Sequence, residues 1–213
     1  MRKPGRARLL ADEVADRLRQ EIIEGEFQMG EALSEAKIAL RYGVSRTPVR
    51  EGFACLGLEG LVHTAPQLGT FVFTMDQEEF NQISQVRSIW ETAALRLVMT
   101  SNPEGLAAQW ARLLASMEAA LQAGQGKRYA AFDGQFHQAL FDLAENPYLT
   151  ASGHSFAAKI ATVRTRQGAH PDHMKKSFRE HSDLLACVQR NAMEEACTLL
   201  DYHIRVKGES FWT

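Results

Sequence analysis

From Leu10 the apolar positions Leu10, Val14, Leu18 and Ile22 recur every fourth residue, which predicts an amphipathic helix stopping near Gly25. Residues 25–33 read as a loop. Ser34 is placed to cap a second helix that carries Ile38 and Leu40 and closes at Tyr42 and Gly43. A third helix opens at Ser45, turns Val49, Phe53, Leu56 and Leu58 inward, and ends by Gly60. Residues 61–64 and 70–73 are β-prone runs, and the segment between them holds Pro66 and Gly69, so the pair reads as a hairpin. Three helices followed by a hairpin make a winged helix-turn-helix.

Beyond residue 75 the pattern changes to helices alone. Asp76 and Glu79 have capping-box spacing, and Ile83, Val86, Trp90, Ala93 and Leu97 form a stripe expected to face inward. Asn102 and Pro103 end that helix and start the next, which carries Leu106, Trp110, Leu113, Met117 and Leu121. A helix over residues 128–145 carries Phe132, Phe136, Leu140 and Leu143 and stops at Asn146-Pro147. Further helices fit residues 148–166, 174–190 and 192–210. The expectation is a mainly α chain with two domains: a winged helix-turn-helix over residues 1–74 with a basic arm at 2–8, and an all-α bundle of about six helices over 76–213.

Composition narrows the class without naming a chemistry. The chain has 213 residues, 45% hydrophobic and 23% charged, which suits a folded chain with sizeable cores. No apolar run approaches the roughly 20 residues a membrane span needs. Basic residues 2–8 lack the apolar stretch of a secretory signal, and three widely spaced cysteines without a CxxC fit reduced thiols in a cytoplasm. Net charge is −2, yet Arg2, Lys3, Arg6 and Arg8 cluster at the start, and Arg46 and Arg50 share a helix face. A local basic patch is what a sequence-specific DNA reader requires.

Residues 43–51 (Gly-Val-Ser-Arg-Thr-Pro-Val-Arg-Glu) concentrate that chemistry. Ser45 and Thr47 offer hydroxyls, Pro48 suits a first helical turn, and Arg46 and Arg50 project from one side. Hydroxyls, backbone donors at a helix start and paired arginines suit phosphates and guanine edges in a major groove. The competing reading is a capped surface helix with two solvated arginines.

The surrounding residues carry a resemblance. Leu18-Arg19 with Ile22 and Gly25, the run 30–35, the run 43–51, Leu56, the run 59–62 and the run 69–72 resemble the DNA-binding domain of the GntR family of bacterial transcription regulators. The resemblance implies double-stranded DNA as partner, with Ser45, Arg46, Thr47 and Arg50 in the major groove and Gln67 and Gly69 at the wing. Gly52 stands where the family usually has Ala, which is expected to weaken the recognition helix by about 0.5–1 kcal/mol. Ala36 stands where some members carry a basic contact.

In the second half, Asp133 and His137 lie four apart on one helix, and His181 and His203 fall in two later ones. Converging, they would form an O/N site for a divalent transition metal; apart, they are ordinary polar residues. His154, His170 and His173 read as surface residues, and Cys187 and Cys197 as small core residues. Arg87 with Glu91, residues 132–137, Asn146-Pro147, Glu180-His181 and His203-Ile204 resemble the FadR C-terminal (FCD) ligand-binding domain, in its six-helix version. That resemblance implies a metal held by Asp133, His137, His181 and His203, with zinc expected first and nickel or manganese as alternatives. A small organic-acid effector could complete the shell while Arg87, or else Arg164, pairs with its carboxylate. The competing reading spends Arg87 on Glu91, four residues on.

The expected function is a ligand-responsive transcription repressor acting as a homodimer on a palindromic operator. A metal-dependent hydrolase built on the Asp/His site is the rival, and a metal sensor a third reading. The hydrolase lacks a positioned general base beyond the ligands, a nucleophile motif and a phosphate loop.

Overall fold

A computed structural model describes residues 6–153, 155–167 and 170–205. The chain divides into two compact units. The first runs through Met75 and includes a later segment that ends at Thr162; the second comprises Asp76–Gly153 and the chain from Val163 on.

The first unit contains α1 (Arg6–Ile23), β1 (Ala32–Leu33), α2 (Glu35–Tyr42), α3 (Arg46–Leu58), β2 (Val62–Ala65) and β3 (Gly69–Val72). Helix α1 begins at Arg6, and the remainder of the expected basic arm lies outside the described residues. Ser34 caps α2 through a hydroxyl accepting from Lys37 N, and Gly43 ends it in a left-handed conformation at φ 69°. The strands form an antiparallel sheet in the order β1-β3-β2, with Val62 opposite Val72 and Leu33 opposite Thr70. Strand β1 falls in the expected loop. Two residues have too little pattern to register as a strand until β3 supplies their partners.

Three expectations for this unit change. Leu58 is 88% exposed, not inward, because α3 closes at Glu59 and Leu58 falls past its buried face of Val49, Gly52, Phe53 and Leu56. Leu40 is likewise exposed, leaving Ile38 and Ala39 as the buried residues of α2. Gly52 is a contact point. A Cβ there would lie 3.0 Å from Val14 Cγ1, 3.3 Å from Ala15 N and 3.5 Å from Ala11 O, so α1 and α3 pack through the missing side chain.

The second unit is helical: α4 (Gln77–Ser101), α5 (Pro103–Gln122), α6 (Gly126–Ala144), α7 (Pro147–Ser152), α9 (Pro171–Gln189) and α10 (Met193–Arg205), together with the end of α8 (Ala157–Gln167) from Val163 on, the start of that helix being counted with the first unit. Both halves of the Asp76/Glu79 capping box are made, and Asn102 caps α5 with Pro103 at its first turn. The helix expected over 148–166 is two helices, broken at Gly153, where a Cβ would lie 2.1 Å from the Trp90 ring. Helix α9 starts earlier than expected, at Pro171, and α10 is described to Arg205.

The core of this unit is aromatic at its centre. Trp110 stacks on Phe136 at 4.1 Å between ring centroids and donates its indole N–H to the Phe136 carbonyl. Leu95, Leu106, Met117, Leu140 and Leu184 enclose the pair. Of the expected apolar stripe of α4, Trp90 packs against that core, stacking on Phe141 at 3.7 Å between ring centroids, but the other four residues are not part of it. Val86, Ala93 and Leu97 are exposed and Ile83 and Trp90 half-buried, whereas Phe80, Ser84, Arg87, Ser88, Glu91, Leu95 and Val98 face inward. The reason is polar pairing: α4 turns its arginine and glutamate toward partners inside the bundle, so the periodicity of apolar residues misreads its buried face.

Candidate functional site

In the first unit, Ser45, Arg46, Thr47 and Arg50 are all exposed at the start of α3, while Pro48 and Val49 between them are buried. The buried pair pins the helix and leaves the other side open. Ser45 is the N-cap residue at φ −76° and ψ 170°, but its hydroxyl makes no capping hydrogen bond. Arg50 reaches back to α2, donating from Nε to Glu35 Oε1 at 2.9 Å and from Nη2 to Oε2 at 2.8 Å. That bidentate pair holds the Glu35 carboxyl below its ordinary range, with Arg46 adding a smaller pull. It also fixes the Arg50 guanidinium on the exposed side of the recognition helix. Gln67 and Gly69 lie at the exposed hairpin tip, with φ of 64° and 120°, the left-handed region that a tight wing turn uses.

In the second unit, α6 supplies Asp133 and His137, α9 His181 and α10 His203, all buried. The three Nε2 atoms form a triangle: 3.4 Å from His137 to His181, 3.1 Å from His181 to His203 and 3.4 Å from His203 to His137. At a metal–nitrogen distance of about 2.1 Å, such separations subtend roughly 95–110° at a shared ion. Three imidazoles with facing nitrogens therefore fit one face of a tetrahedral or octahedral shell.

Two of the rings are held from behind. His137 Nδ1 donates to Glu91 Oε2 at 2.6 Å, and His203 Nδ1 donates to Glu180 Oε2 at 2.7 Å. A carboxylate on Nδ1 fixes the proton there and leaves the Nε2 lone pair for a metal. Burial, and then the charges of Arg87 and Arg164, push His137 well below its ordinary value, so it is neutral at pH 7. The donor set fits a divalent transition metal.

Asp133 stands at the margin of the triangle. Its Oδ1 lies 3.7 Å from His181 Nε2 and accepts from Ser177 Oγ at 3.2 Å; its Oδ2 lies 4.0 Å from His137 Nε2 and 2.7 Å from Arg164 Nε. The four expected ligands thus occupy one place, with three of them converging and the carboxylate turned toward an arginine. Both expected effector arginines are here as well. Burial, and next the charge of Arg87, draw Arg164 down to about 10, which leaves it a cation at neutral pH. Arg87 donates from Nε to Glu91 Oε1 at 2.6 Å, while its buried Nη2 has no hydrogen-bond partner among the described residues. The Arg87–Glu91 pair is therefore real, and it leaves one end of the guanidinium unused.

Glu91 and Glu180 as ring tethers are what sequence reasoning missed. Glu91 is 46 residues from His137 and Glu180 is 23 from His203, so nothing local announces either pair. Of the other histidines, His154 lies outside the described residues, His170 is exposed and His173 half-buried. Cys187 and Cys197 are buried free thiols.

Comparison with known proteins covers both units. Residues 10–72 match the family described as bacterial regulatory proteins, gntR family, and residues 82–206 match the FCD domain. The chain is 28% identical over 196 residues to the HTH-type transcriptional repressor RspR of Escherichia coli K12, covering 91% of this chain and 85% of that protein. Among solved structures, a GntR transcriptional regulator from Rhodococcus sp. RHA1 superposes with a TM-score of 0.82 at 24% identity, over 95% of this chain and 97% of that one. E. coli McbR/YncC gives the same TM-score at 18% identity, with the same coverage.

Proposed function

Because the chain belongs to the GntR family of bacterial regulatory proteins and carries an FCD domain, we propose that it is a repressor whose hold on DNA is set by a small organic acid bound beside a metal ion. DNA-binding transcriptional regulation is the activity of the family, and the chain groups with regulators, not with metal-dependent hydrolases. Ser45, Arg46, Thr47 and Arg50 would enter the major groove, with Gln67 and Gly69 meeting the neighbouring backbone.

The observation that carries the effector reading is the triangle of Nε2 atoms, tied through Glu91 to Arg87, whose buried Nη2 is unused. His137, His181 and His203, joined by Asp133, would hold the ion, which supplies a Lewis-acidic position for an acid's oxygen. Charge supports an anion in particular. Counting buried groups only, and so leaving out the half-exposed Lys176 beside Glu180, the acids Glu91, Asp133 and Glu180 and the bases Arg87 and Arg164 give a formal balance of −1. A divalent ion would change that to +1, and one carboxylate would then restore neutrality inside the bundle. Zinc is the first expectation for the ion, with nickel and manganese also compatible with imidazole and carboxylate donors.

A second copy of the chain would cover the exposed apolar face of α4. Val86, Ile89 and Leu97 are 50%, 68% and 43% exposed, at spacings that align them on one side of the helix. A dimer formed there would present two recognition helices to a palindrome. Among the described residues no helix is long and apolar enough to cross a membrane.

The metal is tested by elemental analysis of the purified protein beside His181→Ala and His203→Ala. About one equivalent in the wild type and a trace in both variants is expected; equal, near-zero metal in all three would sink the reading. Capture and sequencing of genomic fragments on the protein tests the DNA half. A short enriched palindrome is expected, and unenriched, salt-sensitive binding would refute it.

A further inference from the structure

Glu91 is 1% exposed and spends one oxygen on each of two neighbours. Oε1 accepts from Arg87 Nε at 2.6 Å, and Oε2 accepts from His137 Nδ1 at 2.6 Å. A single buried carboxylate thus joins the guanidinium whose Nη2 is unused to the ring whose Nε2 faces the other histidines. Glu180 holds His203 in the same manner at 2.7 Å, and its other oxygen lies 4.0 Å from the half-exposed Lys176. The two tethers are alike toward their histidines and unlike in what lies behind them.

We infer that Glu91 is a positioning residue that couples the two occupants of this site, so that an anion on Arg87 tightens metal binding at His137 and the metal tightens anion binding in return. The inference rests on the metal-and-acid reading given above. Its physical basis is competition for one negative charge. With Arg87 unoccupied, the guanidinium and the imidazole N–H share the field of Glu91. An anion on Arg87 Nη2 offsets part of the guanidinium charge, and more of the Glu91 field falls on His137 Nδ1–H, making Nε2 the stronger donor. In the other direction, His137 with its Nε2 on a metal would hold Glu91 more strongly through Nδ1–H, which would leave Arg87 freer to take an anion. Linkage requires the two effects to be equal.

The test is the zinc affinity of the full chain, measured by competition with a chromophoric chelator, with and without saturating acetate. Four proteins are compared: wild type, Glu91→Gln, Glu180→Gln and Arg87→Met. Acetate is expected to tighten zinc binding to the wild type by about fivefold or more. Both glutamine variants should weaken zinc by roughly 10–100-fold, as lost carboxylate–histidine tethers do. They should part company in acetate: Glu180→Gln keeps the enhancement, whereas Glu91→Gln reduces it to about twofold or less. A merely structural role for both glutamates would not separate them. Arg87→Met should bind zinc at least as tightly as the wild type and ignore acetate, and this arm decides the matter if circular dichroism shows Glu91→Gln unfolded. Zinc binding by the wild type that acetate does not alter, or an equal enhancement in the two glutamine variants, overturns the coupling and leaves the metal site standing. Absence of zinc binding to the wild type overturns the metal reading and the coupling with it.

Discussion

Gly52→Ala is the substitution on which sequence and structure disagree in sign. In an isolated helix the change gains about 0.5–1 kcal/mol, because alanine loses less backbone entropy than glycine. In the folded protein the new Cβ would meet Val14 Cγ1 at 3.0 Å, Ala15 N at 3.3 Å and Ala11 O at 3.5 Å. Carbon atoms pack best at about 3.5–4.0 Å, so the first contact is repulsive. The second is to backbone, which no rotamer change can relieve. α3 must then withdraw from α1 by a few tenths of an ångström across an interface where Val14, Val49 and Leu56 are at most 3% exposed. Overpacking of this type costs about 1–3 kcal/mol, so the propensity gain is outweighed and a net loss of about 1 kcal/mol is expected. Chemical denaturation of Gly52→Ala, Val14→Ala and the double variant measures it. The double variant should fall short of the summed single effects by at least about 0.5 kcal/mol, since removing Val14 Cγ1 makes room for the methyl. A stabilised Gly52→Ala, or strict additivity, would refute the argument that this glycine sets the seat of the recognition helix. Operator affinity should fall with the same variant, because α3 would be displaced.

Other outcomes follow from the two sites. Arg46→Ala and Arg50→Ala should each weaken operator binding about tenfold or more while leaving circular dichroism unchanged; unaltered affinity in both removes the docking arrangement. Stability of the metal-free protein should depend on pH through His137. Its folded-state value is depressed, so below about 6.5 the unfolded chain binds a proton that the native state refuses, and stability falls as pH drops. The slope should not exceed about 1.4 kcal/mol per pH unit from this residue, and His137→Gln should flatten it in urea titrations at pH 5, 6 and 7.5. Stability that rises on acidification over that range would show His137 charged in the native state.

The helix-turn-helix was legible along the chain because its signals are local. Ser34 and Gly43 bound one helix, residues 45–50 open the next, and hydrophobic spacing assigns Val49, Phe53 and Leu56 to a buried face. The ends of the bundle helices were legible for the same reason, at Asp76, Asn102 and Asn146. Asp133, His137, His181 and His203 could be named as a set from a resemblance, but spacing alone leaves them as four polar residues on three helices. Val86 and Leu97 show where periodicity fails. It assumes that polar residues face water, and α4 buries Arg87 and Glu91 instead.

What the amino-acid order determined by itself is whatever depends on neighbours within a few residues: caps, turns, amphipathic faces and the exposed hydroxyls and guanidinium groups of the recognition helix. What only the tertiary structure decided depends on residues brought together from far apart. β1 exists as a strand because Ala32 and Leu33 pair with Phe71 and Thr70. Gly52 is an asset because α1 lies against it. Glu91 links Arg87 to His137 across 46 residues because burial leaves each of these groups in need of a partner that water cannot supply.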